Sequence, residues 1–152
     1  MLNARITGGS FEPQAEFQAF LAVLRVEGAV SSFVGIARPS TRGGVAITRL
    51  FLDHHPTLSQ ESVAAITAAA HGRFDVSAVK VVHRYGEIRP GDAIVFVAAA
   101  SLHRRAAFEA TDYMMDRLKT EAFFWKREET ADGSRWIEPT ESDHLERGRW
   151  TT

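Results

Sequence analysis

A chain of 152 residues with 45% hydrophobic residues is long enough to bury a sizeable core in one domain, and a net charge of -1 argues against a protein that coats nucleic acid. It holds no run of about 18 apolar residues and no charged segment leading into an apolar one, so neither a membrane span nor a signal peptide is expected, and a cytoplasmic location follows. The absence of cysteine removes disulfides, persulfides and thiolate ligands from the chain's own chemistry; any sulfur handled here arrives on something else.

In chain order, residues 5–7 suggest a short strand, and Phe17, Phe20, Leu21 and Leu24 mark one face of a helix over 13–26. Residues 29–37 alternate as a strand that ends in the loop Pro39-Ser40-Thr41-Arg42-Gly43-Gly44, and 45–53 reads as that strand's antiparallel partner. Gly43-Gly44 lacks the lysine of a phosphate-cradling loop and reads as a turn. Thr57 with Gln60 fits a capping box for a helix ending near Gly72, with Val63, Ile66 and Ala70 facing inward. Adjacent His54 and His55 close a strand, where neighbouring side chains point to opposite faces, so no metal site is expected there.

Strands over 78–85 and 93–99 join through Pro90-Gly91. A helix over 102–119 follows, with Ser101 as its N-cap and Ala107, Ala110, Met114 and Leu118 at helical spacing. Phe123-Phe124-Trp125 reads as a buried strand over 123–129, paired with 135–137 across Ala131-Asp132-Gly133-Ser134. From about residue 140 the tail is polar and expected to be poorly fixed until Trp150. The order describes a single α+β domain over 1–152, with a mainly antiparallel sheet packed by about three helices.

The chemistry concentrates in the 102–119 helix and the strand after it. His103, Arg104 and Arg105 sit at the helix start, where cations oppose the helix dipole unless an anion is bound; a phosphate site and a solvated basic turn are the two readings. Lys119 closes the helix, and Lys126 emerges from an apolar strand, where burial and neighbouring cations lower a lysine pKa. The 16 positions between His103 and Lys119 span roughly 24 Å of helix, so one small ligand reaches both ends only if two copies share the site.

Several motifs together resemble the large, catalytic subunits of molybdopterin synthase, the MoaE family. They are Gly28-Ala29-Val30, Phe33-Val34-Gly35 with Arg38, His83-Arg84-Tyr85-Gly86-Glu87-Ile88, Pro90-Gly91-Asp92, His103-Arg104 with Ala107-Phe108-Glu109-Ala110, Asp116 through Lys119-Thr120, and Trp125-Lys126-Arg127-Glu128 with Trp136. The match runs from about Glu27 to Ile137 in the same order.

The resemblance implies a hammerhead-like fold in a two-fold dimer, itself within a heterotetramer, and a sulfurtransferase without a cofactor or metal. The implied reaction adds two sulfurs to cyclic pyranopterin monophosphate to form the molybdopterin dithiolene. The sulfur comes as a thiocarboxylate on the C-terminal Gly-Gly of a small ubiquitin-like carrier. This chain ends Arg149-Trp150-Thr151-Thr152, so the carrier is expected to be a separate polypeptide.

The resemblance also implies catalytic roles for Lys119 and Lys126 and substrate binding by Arg38, His103 and Arg104, with the backbone of Ile36 and Ala37 and with Arg127 and Glu128 lining the same pocket. His103 and Arg104 would come from the neighbouring protomer. Two departures stand out: Phe123 replaces a usual proline, and Asp53-His54-His55 stands where a glutamate and an aromatic are common. The rival classes are a non-enzymatic nucleotide- or RNA-binding module, using the aromatic strand for stacking, and an inactive homologue.

Overall fold

The computed structural model describes residues 1–151, which form two four-stranded sheets and four helices. Their order is β1 (Leu2–Thr7), α1 (Pro13–Ala22), β2 (Ala29–Ile36), β3 (Ile47–His54), α2 (Leu58–Arg73), β4 (Ala78–Arg84), β5 (Gly86–Ile88), β6 (Ala93–Ser101), α3 (Arg104–Glu121), β7 (Phe124–Thr130), β8 (Gly133–Ile137) and α4 (Glu141–Gly148).

The first sheet runs β1-β4-β6-β2, antiparallel except for the β1–β4 pair. Its central strands β4 and β6 are apolar on both faces because both are covered. Val79, Val81, Val95, Val97 and Ala99 meet Val63 and Ile66 of α2 and Ala110, Met114 and Leu118 of α3. Val82, Phe96, Ala98 and Ala100 meet Phe20 of α1 on the other face. Lys80 also lies on the α1 side, 5% exposed, and is held by Glu16 at 2.7 Å, which satisfies a charge that would be costly alone.

The second sheet runs β5-β3-β7-β8, all antiparallel, around a small core of Ala37, Leu50, Leu52 and Ile88. The expectation that β3 pairs with β2 is therefore corrected: β2 pairs with β6, and β3 lies between β5 and β7. The cause lies at Ala37, whose N–H donates to the Asp92 carbonyl and whose carbonyl accepts from Gly91, tying the end of β2 to the turn before β6. The loop then reverses through the Ser40–Ala46 bridge, with Gly44 at φ 85°, and delivers β3 to the other sheet.

Other expectations change at the ends of elements. The first helix stops at Ala22, and the Glu27 carboxylate takes the N–H groups of Arg25 and Val26. Thr57 makes no side-chain cap; the His55 ring Nδ1 accepts from Thr57 and Leu58 instead, while Gln60 reaches across to β1 at Ala4 and Ile6. His103, not Ser101, is the residue before α3, because the Ser101 hydroxyl is used by the Asp75 carbonyl and the His103 N–H. The 140–150 tail is ordered: Thr140 and Asp143 form a capping box for α4, and Trp150 packs between Phe74 and Tyr113.

Candidate functional site

Directly opposed residues of antiparallel strands share a face, and the registers of the second sheet show which side chains of β7 look inward. Lys126 lies opposite Leu52 and Ile137, and Glu128 opposite Leu50, so Phe124, Lys126 and Glu128 share the face that carries the small core. Glu128 is 4% exposed and Lys126 half-buried. Phe123 and Trp125 are exposed, at 44% and 49%, which corrects the expectation of a buried aromatic run: only Phe124 of the three turns inward.

The Lys126 ammonium is held below its ordinary pKa, first by burial and then by the charge of Lys119; Arg38 and Arg42 add to the effect and Glu128 opposes it. Lys119 lies in the last turn of α3, where the helix dipole favours a cation. Lys119 and Arg42 also act on Asp143 of α4. Burial raises that carboxyl, but bonds from Thr140 and the two cations bring it below its usual range. Four segments thus supply one cluster: the β2–β3 loop with Arg38 and Arg42, the α3 end with Lys119, β7 with Lys126 and Glu128, and α4 with Asp143.

Sequence reading missed Arg42 and Asp143. Arg42 was visible only as a loop residue, and the Thr140–Asp143 spacing of a capping box was the one available signal for the second.

Of the remaining expected residues, Ala37 belongs to the small core that Lys126 and Glu128 face. Ile36 is 57% exposed at the end of β2, while Ala37 is buried and its N–H and carbonyl are both bonded to the 91–92 turn. Arg127 occupies the opposite face of β7 from Lys126, its guanidinium 4.9 Å from the Phe51 ring centre and 5.5 Å from that of Trp136. His103 and Arg104 are exposed at the other end of α3 from Lys119. No group of His, Asp or Glu side chains among the described residues is arranged to hold a metal ion. His54 stacks on Tyr85 at 3.7 Å and His55 caps α2. No helix among the described residues is long and apolar enough to cross a membrane.

A semi-buried lysine amid other cations, with one buried carboxylate beside it, can bind an anion, hold an oxyanion and pass a proton more readily than a solvated lysine. The family model described as MoaE protein matches residues 6–121. A Caulobacter vibrioides protein called molybdopterin synthase catalytic subunit is 44% identical over 145 residues, 95% of each chain. Among solved structures, a molybdopterin biosynthesis MoaE protein from Burkholderia ambifaria superposes with a TM-score of 0.83 at 36% identity, covering 100% of this chain and 99% of that one. A chain in a Helicobacter pylori complex of subunits 1 and 2 of molybdopterin-converting factor shares the fold, with a TM-score of 0.71 at 21% identity over 91% and 90% of the two chains.

Proposed function

The chain belongs to the MoaE protein family, the catalytic subunits of molybdopterin synthase, and from that premise we propose that Lys119 and Lys126 carry the transfer of two sulfurs to cyclic pyranopterin monophosphate. The donor is the C-terminal Gly-Gly thiocarboxylate of a small ubiquitin-like partner subunit. The observation that carries this reading is the cation cluster around half-buried Lys126, with its pKa lowered by burial and by Lys119.

In each transfer the thiocarboxylate sulfur bonds to a pterin carbon, the oxygen on that carbon departs with a proton, and a thioester joins carrier and pterin. Water then attacks the acyl carbon. The tetrahedral oxyanion collapses with cleavage of the carbon–sulfur bond, leaving sulfur on the pterin and a carboxylate on the carrier. A lysine with a lowered pKa is suited to protonating the departing oxygen, and a second cation beside it to stabilising the oxyanion. Arg38 suits the substrate phosphate, as do His103 and Arg104 of a neighbouring protomer.

The test is reconstitution from the purified chain, a thiocarboxylated small subunit and cyclic pyranopterin monophosphate, scoring dithiolene after oxidation to its fluorescent derivative. Wild type yields product, and Lys119→Ala or Lys126→Ala loses roughly a hundredfold or more of the rate, as expected when a positioned proton donor or oxyanion partner is removed. Full activity in both variants would overturn the assignment. Absence of product from wild type with the carrier bound would favour an inactive homologue.

A further inference from the structure

The cluster needs two ammonium groups held near each other, although their repulsion favours separation. They are joined through the turn at Ala122 and Phe123, and the contacts of that turn come mainly from α2. The Phe123 N–H donates to the Ser62 hydroxyl at 3.1 Å, and the Ser59 hydroxyl donates to the Phe123 carbonyl. Each serine is also held on its own side: Ser62 donates to the Ser59 carbonyl at 2.9 Å, and Ser59 accepts from the His55 N–H at 2.9 Å. Ser59 is fully buried. One residue further on, Phe124 stacks on buried His83 with ring centres 4.0 Å apart, and its N–H closes a tight turn onto the Ala122 carbonyl at 2.9 Å.

We propose that Ser59 and Ser62 are positioning residues for the lysine pair, clamping the Phe123 backbone at both its N–H and its carbonyl and so fixing the turn that sets Lys119 against Lys126. The geometry matters because Phe123 is 44% exposed and its side chain supplies little anchorage, so the backbone is held by hydrogen bonds. A proline at this position would lack the N–H; here that donor is present and Ser62 accepts it. The bonds restrain the start of β7, and Lys126 lies two residues beyond the stacked Phe124, on the same face. The charged groups acting on Lys126 are Lys119 from α3, Arg38 and Arg42 from the β2–β3 loop and Glu128 from its own strand; β3 and β8 place Leu52 and Ile137 opposite it.

The proposal rests on the catalytic reading of the two lysines, but its test does not require activity. In Ser59→Ala/Ser62→Ala, the amine of Lys126 is followed by competitive acylation across pH, with modified peptides quantified by mass spectrometry and the N-terminal amine as internal standard. Loosening the turn lets Lys126 hydrate and move from Lys119, so the midpoint of its reactivity moves up by about half a pH unit or more. Ser62→Thr, which keeps the hydroxyl, restores the wild-type midpoint. In the reconstituted synthase the double variant loses about tenfold in kcat with KM little changed, because misplacement of a positioned group costs rate more than binding.

An unaltered midpoint, whether or not the melting temperature falls, would overturn the proposal and leave the serines a purely structural role. If the double variant does not fold, Ser62→Ala alone, which removes the acceptor for the Phe123 N–H and the donor to the Ser59 carbonyl at a half-buried position but leaves Ser59 on the Phe123 carbonyl, decides the same question by the same readout. Failure of the catalytic reading would instead show as lysine variants that remain active, a result independent of where the Lys126 midpoint lies.

Discussion

His83 and Glu16 set how the fold meets acid. Burial drives the His83 imidazole down to about 4, against the opposing contact of its Nδ1 with the Arg84 carbonyl. The unfolded chain takes up that proton near 6.5, so stability falls as pH drops from about 6.5 toward 4, by at most about 3 kcal/mol at one histidine. Glu16 lies at about 2, lowered first by its bond with Arg5 and then by Lys80, with burial opposing. Its contribution is complete above its unfolded value of 4.5 and is lost as pH falls toward 2. Urea midpoints measured across pH are expected to separate the two: His83→Phe, which keeps a ring against Phe124, flattens the decline between 6.5 and 4, and Glu16→Gln flattens the part between 4.5 and 2. The residue types were readable from sequence, but their environments were not. Nothing local marks His83 as facing Phe124 and Arg84 as facing the α1 side of the same strand, because that follows from which helices cover β4.

Elements were legible where a periodic apolar pattern coincides with burial. The inward face of α2 and the α3 row Ala107, Ala110, Met114 and Leu118 are buried as the spacing requires, and β7 and β8 pair around Gly133, which takes φ 123°. Elements held by polar bonds were not legible. β5 is three residues long and exists through its pairing with β3, and α4 has no buried residue of its own. α4 is fixed by contacts of the segment with α3: Arg147 bonds to Glu121, Arg149 to Asp112 and Asp116 at 3.0 and 2.9 Å, and the Trp150 indole N–H to Asp116 at 2.7 Å. Trp150 also lies at right angles to Phe74 and Tyr113, with ring centres 5.7 and 5.6 Å away. Trp150→Ala is therefore expected to lower stability by roughly 2 kcal/mol, less than a fully buried aromatic would. Thermal unfolding checks this. A melting temperature equal to wild type would mean that the segment contributes no net stability.

At the scale of the whole molecule, α3 separates the two groups of cations. Its 18 residues span about 27 Å, with His103 and Arg104 at one end and Lys119 at the other. Neither of two surface cavities of about 200 Å³, one along Glu121–Trp125 and one beside Ile36, Arg84 and Asp92, holds both lysines. A small phosphorylated substrate that uses both ends of the helix requires a second copy of the chain. Mixing Lys119→Ala with His103→Ala chains is expected to restore about a quarter of the wild-type activity, since one of the two sites in each mixed dimer regains a full set and about half the dimers are mixed. No recovery in verified mixed dimers would place the whole site in one chain.

Residue identity and spacing along the chain carry the secondary-structure periodicity, the α+β class, the absence of any thiol chemistry of the chain's own and the family motifs, so all of these were legible before folding was considered. Tertiary structure alone decided that β3 leaves the first sheet, that Arg127 and Lys126 face opposite ways in relation to the core, that Arg42 and Asp143 join the lysines, and that two serines of α2 hold Phe123. Each of these depends on strand register or on bonds between residues dozens of positions apart, and those are fixed when the two sheets close over their cores, not by local preference.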